Sequence, residues 1–200
     1  DALVRICSGH FEPSSHGGVV TSSRRTSSQC WCRHGCTTDT IVKAVERRIV
    51  NLTGVPSSSH FEPLQILKYL PGQYYRKHHD QQTGPFTPQG RRVLTFFIYL
   101  SSPEGGETRF TDLDLTVPAI KGSALLWPSV TDADPDIDEP YTHHEGLEPR
   151  GSSTKYAANL LIHNFDYRTP YRRGCSLVFA RRRRRANKGM GTELLELKYS

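Results

Sequence analysis

No run of this 200-residue chain approaches the about 18 consecutive apolar residues that a membrane-spanning helix requires, which excludes a helical span within it. The opening stretch Asp1-Ala-Leu-Val-Arg-Ile-Cys7 lacks the long apolar region of a secretory signal, although a chain that starts without Met leaves room for an upstream targeting segment. Internal repeats are absent, so a solenoid or propeller is not indicated. Net positive charge is small outside one place. The net charge of +6 comes almost entirely from Arg181 to Arg185, and the remaining body is close to neutral. A basic body would point to nucleic acid, whereas a basic tail reads as a solvated, self-repelling segment, so no specific nucleic-acid partner is expected.

Two further shortages exclude metal motifs. Cys30, Cys32 and Cys36, with His34 among them, lack the paired knuckles of a structural zinc site. Five cysteines cannot all pair, and one local or long-range disulfide with free thiols is the plainer reading. With the sequon Asn51-Leu-Thr53, this leans toward an oxidising compartment of the secretory pathway, such as the endoplasmic reticulum. The acidic stretch from Thr131 to Pro140 lacks the glycine and closing glutamate of an EF-hand and reads as a mobile lid or rim.

What is present is enough for one domain with a real core, since 36% of the residues are hydrophobic. Residues 1–176 are read as that domain, with its core at 64–165, and 177–200 as a basic tail. The first two dozen residues read as loop and edge structure. From Asp39 to Leu52, Ile41, Val42, Val45, Ile49 and Leu52 recur at helical spacing opposite Lys43, Glu46 and Arg47. Thr38 or Asp39 caps this supporting helix, of about 39–54, and Gly54 and Pro56 end it. Leu64 to Leu70 alternates like a half-buried strand, and Arg92 to Leu100 is apolar on both faces like a central one. Turns at Gly105-Gly106 and Lys121-Gly122 lead into further short strands, and Lys155 to His163 forms another. Ser176 to Ala180 suggests one more strand, and Met190 to Lys198 a short helix. Short strands punctuated by Gly, Pro and Asp fit a mainly β sandwich or barrel of jelly-roll type with flanking helices.

The chemistry centres on His78-His79-Asp80 and the later pair His143-His144. In a strand, His78 and Asp80 project from one face while His79 points away. A third ligand from a distant strand completes a 2-His-1-carboxylate face, which suits non-haem Fe(II) with open positions. Taken alone, His-x-Asp also occurs in solvated strands, and either His143 or His144 can supply the third ligand.

Seven ordered motifs carry a resemblance: Tyr69-x-x-Gly72, Tyr75-x-x-His78-x-Asp80, Arg92-Val-x-Thr95, Tyr99-Leu100, Gly105-Gly-Glu-Thr108-x-Phe110, Gly122-x-Ala-Leu-Leu and His144 followed by Lys155-Tyr. Together they resemble the prolyl 4-hydroxylase family of Fe(II)- and 2-oxoglutarate-dependent dioxygenases, plant and algal members especially. The likeness runs from Arg25-Thr26-Ser27 to Gly174-Cys175. It implies a double-stranded β-helix with His78, Asp80 and His144 as catalytic metal ligands. It further implies Lys155 on the distal carboxylate of 2-oxoglutarate, helped by Tyr69 and Thr108, and Tyr75, Arg92 and His163 on a proline-containing peptide. O2 as cosubstrate, ascorbate as reductant, and succinate and CO2 as products follow from the same likeness. Two departures stand out: Leu161 occupies a position where relatives carry tryptophan, and the interval to Lys155 is one residue longer, at Leu147-Glu148-Pro149. The resemblance implies hydroxylation of peptidyl proline. The same chemistry on another residue or a nucleic-acid base, and a non-catalytic binding module, are the alternatives.

Overall fold

Residues rich in β-branched and aromatic side chains dominate the middle of the chain, and they build two antiparallel sheets that face each other. The computed structural model describes residues 1–15, 23–81, 83 and 87–173. Its strands are β1 (Glu12–Pro13), β2 (Ser28–Trp31), β3 (Gln65–Tyr69), β4 (Tyr75–His78), β5 (Arg92–Tyr99), β6 (Thr108–Phe110), β7 (Leu115–Val117), β8 (Ala124–Pro128), β9 (His144–Gly146) and β10 (Lys155–His163). Six form one sheet in the order β1-β2-β3-β10-β5-β8, and four form the other in the order β4-β9-β6-β7. Two antiparallel sheets facing each other in this way make a double-stranded β-helix.

Each face of the larger sheet has its own core. Because side chains alternate along a strand, Ile66, Phe96, Ala158, Leu160 and Ile162 face outward and are covered by helices. Leu67, Tyr69, Phe97, Tyr99 and Ala157 face inward, toward Tyr75 and Phe110 of the smaller sheet. β5 is central, as its apolar composition predicts, lying between β10 and β8. The alternation read for Leu64 to Leu70 requires correction, since Gln65, Ile66, Leu67 and Tyr69 are all buried. β3 is covered on both faces because helices pack on one side and the second sheet on the other.

The covering helices are α1 (Ala2–Ile6) and α2 (Thr40–Thr53), and α3 (Arg168–Arg172) closes the described chain. The Asp39 side chain accepts from the backbone N–H groups of Ile41 and Val42, a cap of the kind that contributes about 1 kcal/mol. Gly54 ends α2 at a φ of 71°, a left-handed conformation in which glycine meets no steric penalty. The buried stripe is Val42, Glu46 and Ile49, whereas Ile41 and Leu52 are exposed. This rotates the expected apolar face, because the buried Glu46 carboxylate pairs with Arg168 of α3 and is drawn inward. Asn51 of the sequon is exposed near the end of α2.

The N-terminal residues are more ordered than loop and edge, since α1 packs its Leu3 into the outer core. A disulfide between Cys7 and Cys30 ties α1 to β2, and a second joins Cys32 to Cys36 across a 3-10 turn. The expected single bridge is thus corrected to two, and none of these cysteines remains free for zinc. The acidic stretch, read as a lid or rim, is tied to the body where Arg91 pairs with Asp138, and within it the Thr131 N–H donates to Ile137 O at 2.9 Å. Cys175, the strand and helix read beyond it, and the arginine run lie outside the described residues.

Candidate metal centre

β4 and β9 are antiparallel neighbours, and their register sets His78 directly opposite His144. The two imidazoles therefore lie side by side, with centroids 4.2 Å apart. Asp80 follows on the turn leaving β4 and folds back between them. Its Oδ1 lies 3.7 Å from His78 Nε2 and its Oδ2 lies 3.8 Å from His144 Nε2. One ligand atom from each residue falls within 4.8 Å of the others, and all three side chains are buried.

The far side of each ring fixes which nitrogen is free. His78 Nδ1 donates to Arg76 O and His144 Nδ1 to Thr142 O, both at 2.9 Å, which leaves the two Nε2 lone pairs directed at Asp80. Burial, with the facing His144, holds the His78 pKa well below its ordinary value, so that ring is neutral as a ligand must be. Burial works to raise the Asp80 carboxyl, but the imidazoles, the Thr95 hydroxyl and Arg92 bring it below its ordinary value. Two imidazoles and one carboxylate on a single face match the donor set of a non-haem Fe(II) site.

The alternate histidines turn elsewhere. His79 Nε2 meets Glu139 O at 3.0 Å, His143 Nδ1 meets Pro140 O at 3.0 Å, and their rings face each other outside the triad. Of the doubled pair, His144 and not His143 reaches the cluster.

Lys155 starts β10 and is fully buried, with Nζ free of any hydrogen-bond partner among the described residues. The rings of Tyr69, its cross-strand neighbour, Phe97 and Tyr99 stand 5.1, 5.5 and 5.6 Å from Nζ. Burial pushes its pKa down to about 7, against a smaller pull from Glu107. An orphaned ammonium costs several kcal/mol, so this interior is built for an anion. Thr108 lies nearby, with its hydroxyl accepting from Tyr99 Oη at 2.7 Å. The Lys155 stem packs under Gly106, whose φ is +72° and where an added Cβ would stand 3.2 Å from Lys155 Cδ. The extra residue in Leu147-Glu148-Pro149 is absorbed on the same loop, with the Gly106 N–H donating to Glu148 O at 3.0 Å.

The three residues expected at a peptide are placed differently from one another. Tyr75 stacks on His78 at 3.5 Å with the Arg25 guanidinium 4.4 Å from its own ring. Arg92 donates to Glu62 Oε1 at 2.6 Å and to Asp80 O at 3.0 Å, and its side chain keeps 18% exposure. His163 has no exposed side-chain area; its Nε2 bonds Glu62 at 2.9 Å and its Nδ1 meets Gly90 O at 3.2 Å. The direct peptide contact expected of His163 is corrected accordingly, because burial and two bonds place it beneath Arg92's partner. Burial would raise Glu62, but Arg92 and His163 bring it down to about 2. Glu62 escaped the sequence reading because it lies in irregular chain, outside any periodic pattern. Thr95, the last residue of the Arg92-Val-x-Thr95 motif, donates to Asp80 Oδ2 at 2.7 Å, a role that the motif by itself did not reveal.

Comparison with known proteins agrees with this geometry. Residues 64–163 match the model of the 2OG-Fe(II) oxygenase superfamily. Prolyl 4-hydroxylase subunit alpha-3 of Bos taurus is 34% identical over 88% of this chain, and prolyl 4-hydroxylase 1 of Arabidopsis thaliana is 35% identical over 70%. The matched segment spans 34% of the bovine protein and 56% of the Arabidopsis one. Among solved structures, the viral collagen prolyl hydroxylase of Paramecium Bursaria Chlorella virus-1, in its 2OG complex, is 30% identical with a TM-score of 0.56. That likeness covers 70% of this chain and 80% of the viral one. With the ligand triad and the matched segment in the same place, this chain belongs to the 2OG-Fe(II) oxygenase superfamily.

Proposed function

We propose that the chain hydroxylates proline in a peptide or protein at C4, using Fe(II), 2-oxoglutarate and O2. The observation that carries this reading is the pairing of a buried His78–Asp80–His144 face with a buried Lys155 amine that has no hydrogen-bond partner among the described residues, in one barrel interior. His78, Asp80 and His144 would hold the iron, and Lys155 with Tyr69 and Thr108 would hold the distal carboxylate of the keto acid. The bound pair supplies oxidative decarboxylation to succinate and CO2, coupled to oxygen insertion into a C–H bond; ascorbate serves as reductant. The chain's own part is to fix both ligands, keep water out with Phe110 and Trp127, and present a peptide beside Tyr75 and Arg92. The choice of proline is supported by the names of the relatives, which are prolyl hydroxylases. The complete ligand set argues against a non-catalytic module.

We further place the protein in the secretory pathway, on the support of the Cys7–Cys30 and Cys32–Cys36 disulfides, which persist in oxidising compartments. Incubation with Fe(II), ascorbate, 2-oxoglutarate and a proline-rich peptide tests the activity. Succinate formed in proportion to a 16-dalton gain on proline supports it. Equal succinate with a proline-free peptide overturns the substrate, and none with any peptide overturns the activity.

A further inference from the structure

The inward face of β10 carries, in sequence, Lys155, Ala157, Asn159, Leu161 and His163. Asn159 stands between the two halves of the site. Its neighbours in register are Gln65 on β3 and Phe97 on β5, and the Phe97 ring lies 5.5 Å from Lys155 Nζ. One step further, Leu161 is paired with Thr95, the residue that donates to Asp80. The Asn159 row therefore separates the ammonium from the metal ligands.

Two carboxamides share that row, and only one is satisfied internally. Gln65 Nε2 donates to Gln29 Oε1 at 2.6 Å, and both side chains are buried. Asn159 Oδ1 is buried with no hydrogen-bond partner among the described residues. Six buried side-chain atoms lack a partner among the described residues, and of these Lys155 Nζ and Asn159 Oδ1 lie together on the inward face of β10, where a ligand or an ordered water would complete the network. A carboxamide carries a donor and an acceptor on one planar fork, so turning it over offers its NH2 to an anion.

We propose that Asn159 is a cosubstrate-binding residue, donating a hydrogen bond to the 2-oxoglutarate that runs from Lys155 toward the metal, with the Gln65–Gln29 pair holding the wall behind it. This rests on the cosubstrate reading above and adds to it a contact that charge alone does not supply. Gln29 and Gln65 fix the row; Asn159 meets the ligand. Leu161, the next inward residue, is apolar and brings no competing donor.

The test is calorimetric titration of 2-oxoglutarate into Mn(II)-loaded protein, which binds without turnover. Asn159→Ser should weaken 2-oxoglutarate by about tenfold, as loss of a hydrogen bond to a charged group does, and Asn159→Asp should weaken it further by setting anion against anion. Mn(II) affinity should stay within about twofold in both, since the ligand triad is untouched. Should a variant not fold, the side-chain NH2 resonance of Asn159 in the unsubstituted protein gives the answer: a shift on adding 2-oxoglutarate supports the contact, and an unmoved resonance overturns it. Both variants binding like the unsubstituted protein while Lys155→Ala loses affinity would remove Asn159 alone. Absence of binding to the unsubstituted protein would remove the cosubstrate reading with it.

Discussion

The Thr95 hydroxyl donates to Asp80 Oδ2 at 2.7 Å, so the larger sheet orients the one carboxylate among ligands otherwise carried by the smaller sheet. A carboxylate held this way has less freedom to swing out of the metal face. Thr95→Val keeps the shape and removes the donor, and it should weaken Fe(II) or Mn(II) binding by roughly tenfold or more. Metal titration of the variant checks this; unchanged affinity would show that Asp80 needs no such support.

The two doubled histidines give an internal control. His78→Ala, Asp80→Ala and His144→Ala should each abolish metal binding and succinate formation, whereas His79→Ala and His143→Ala should retain both, because their rings bond Glu139 O and Pro140 O outside the cluster. Metal content by elemental analysis separates the two groups.

Lys155 should make cosubstrate binding depend on pH. An amine whose folded pKa is about 7 instead of 10.5 binds fewer protons folded than unfolded between those values, so stability without ligand rises with pH across that window. The arriving dianion restores the ammonium, so binding takes up a proton and 2-oxoglutarate affinity should fall above pH 7, by up to roughly tenfold per pH unit. Titrations at several pH values test the slope. Lys155→Ala should flatten it and weaken the keto acid while metal still binds.

Glu62 is buried between Arg92 and His163 with its pKa at about 2 instead of 4.5. A depressed carboxyl stabilises the fold above its unfolded pKa, and that contribution, about 3 kcal/mol, is lost as pH falls from about 4.5 through about 2. Glu62→Gln leaves Arg92 without its counter-charge and should cost about 3 kcal/mol at neutral pH in urea unfolding. A loss under about 1 kcal/mol would mean that the guanidinium finds water instead.

Reduction should loosen the N-terminal layer first. The Cys7–Cys30 bridge joins α1 to the larger sheet, and removing such a link typically costs about 2–5 kcal/mol. Dithiothreitol should lower the melting temperature, and Cys7→Ser with Cys30→Ser should reproduce the drop. An unchanged melting temperature would show that Leu3 packing holds α1 unaided.

The parts of the molecule readable in advance were those governed by local rules. The cap at Asp39, the stop at Gly54, the apolar run of β5 and the His-x-Asp spacing each depend on neighbours a few residues away. What escaped depends on distant partners. The α2 stripe rotated because Arg168, far along the chain, meets Glu46. His163, expected at the peptide, proves to be a buried histidine only once Glu62 and Gly90 are brought to it. Cysteine pairing followed the same logic, since Cys7 finds Cys30 only once α1 lies on β2.

The division of labour between the sheets has a mechanical meaning. His78 and His144 ride on the four-stranded layer, while the ammonium and the hydroxyl that steadies Asp80 ride on the six-stranded one. Iron and keto acid together would then act as a rivet through both layers. Mild denaturant that parts the layers should silence the chemistry before either layer melts, so loss of activity would run ahead of loss of β-structure.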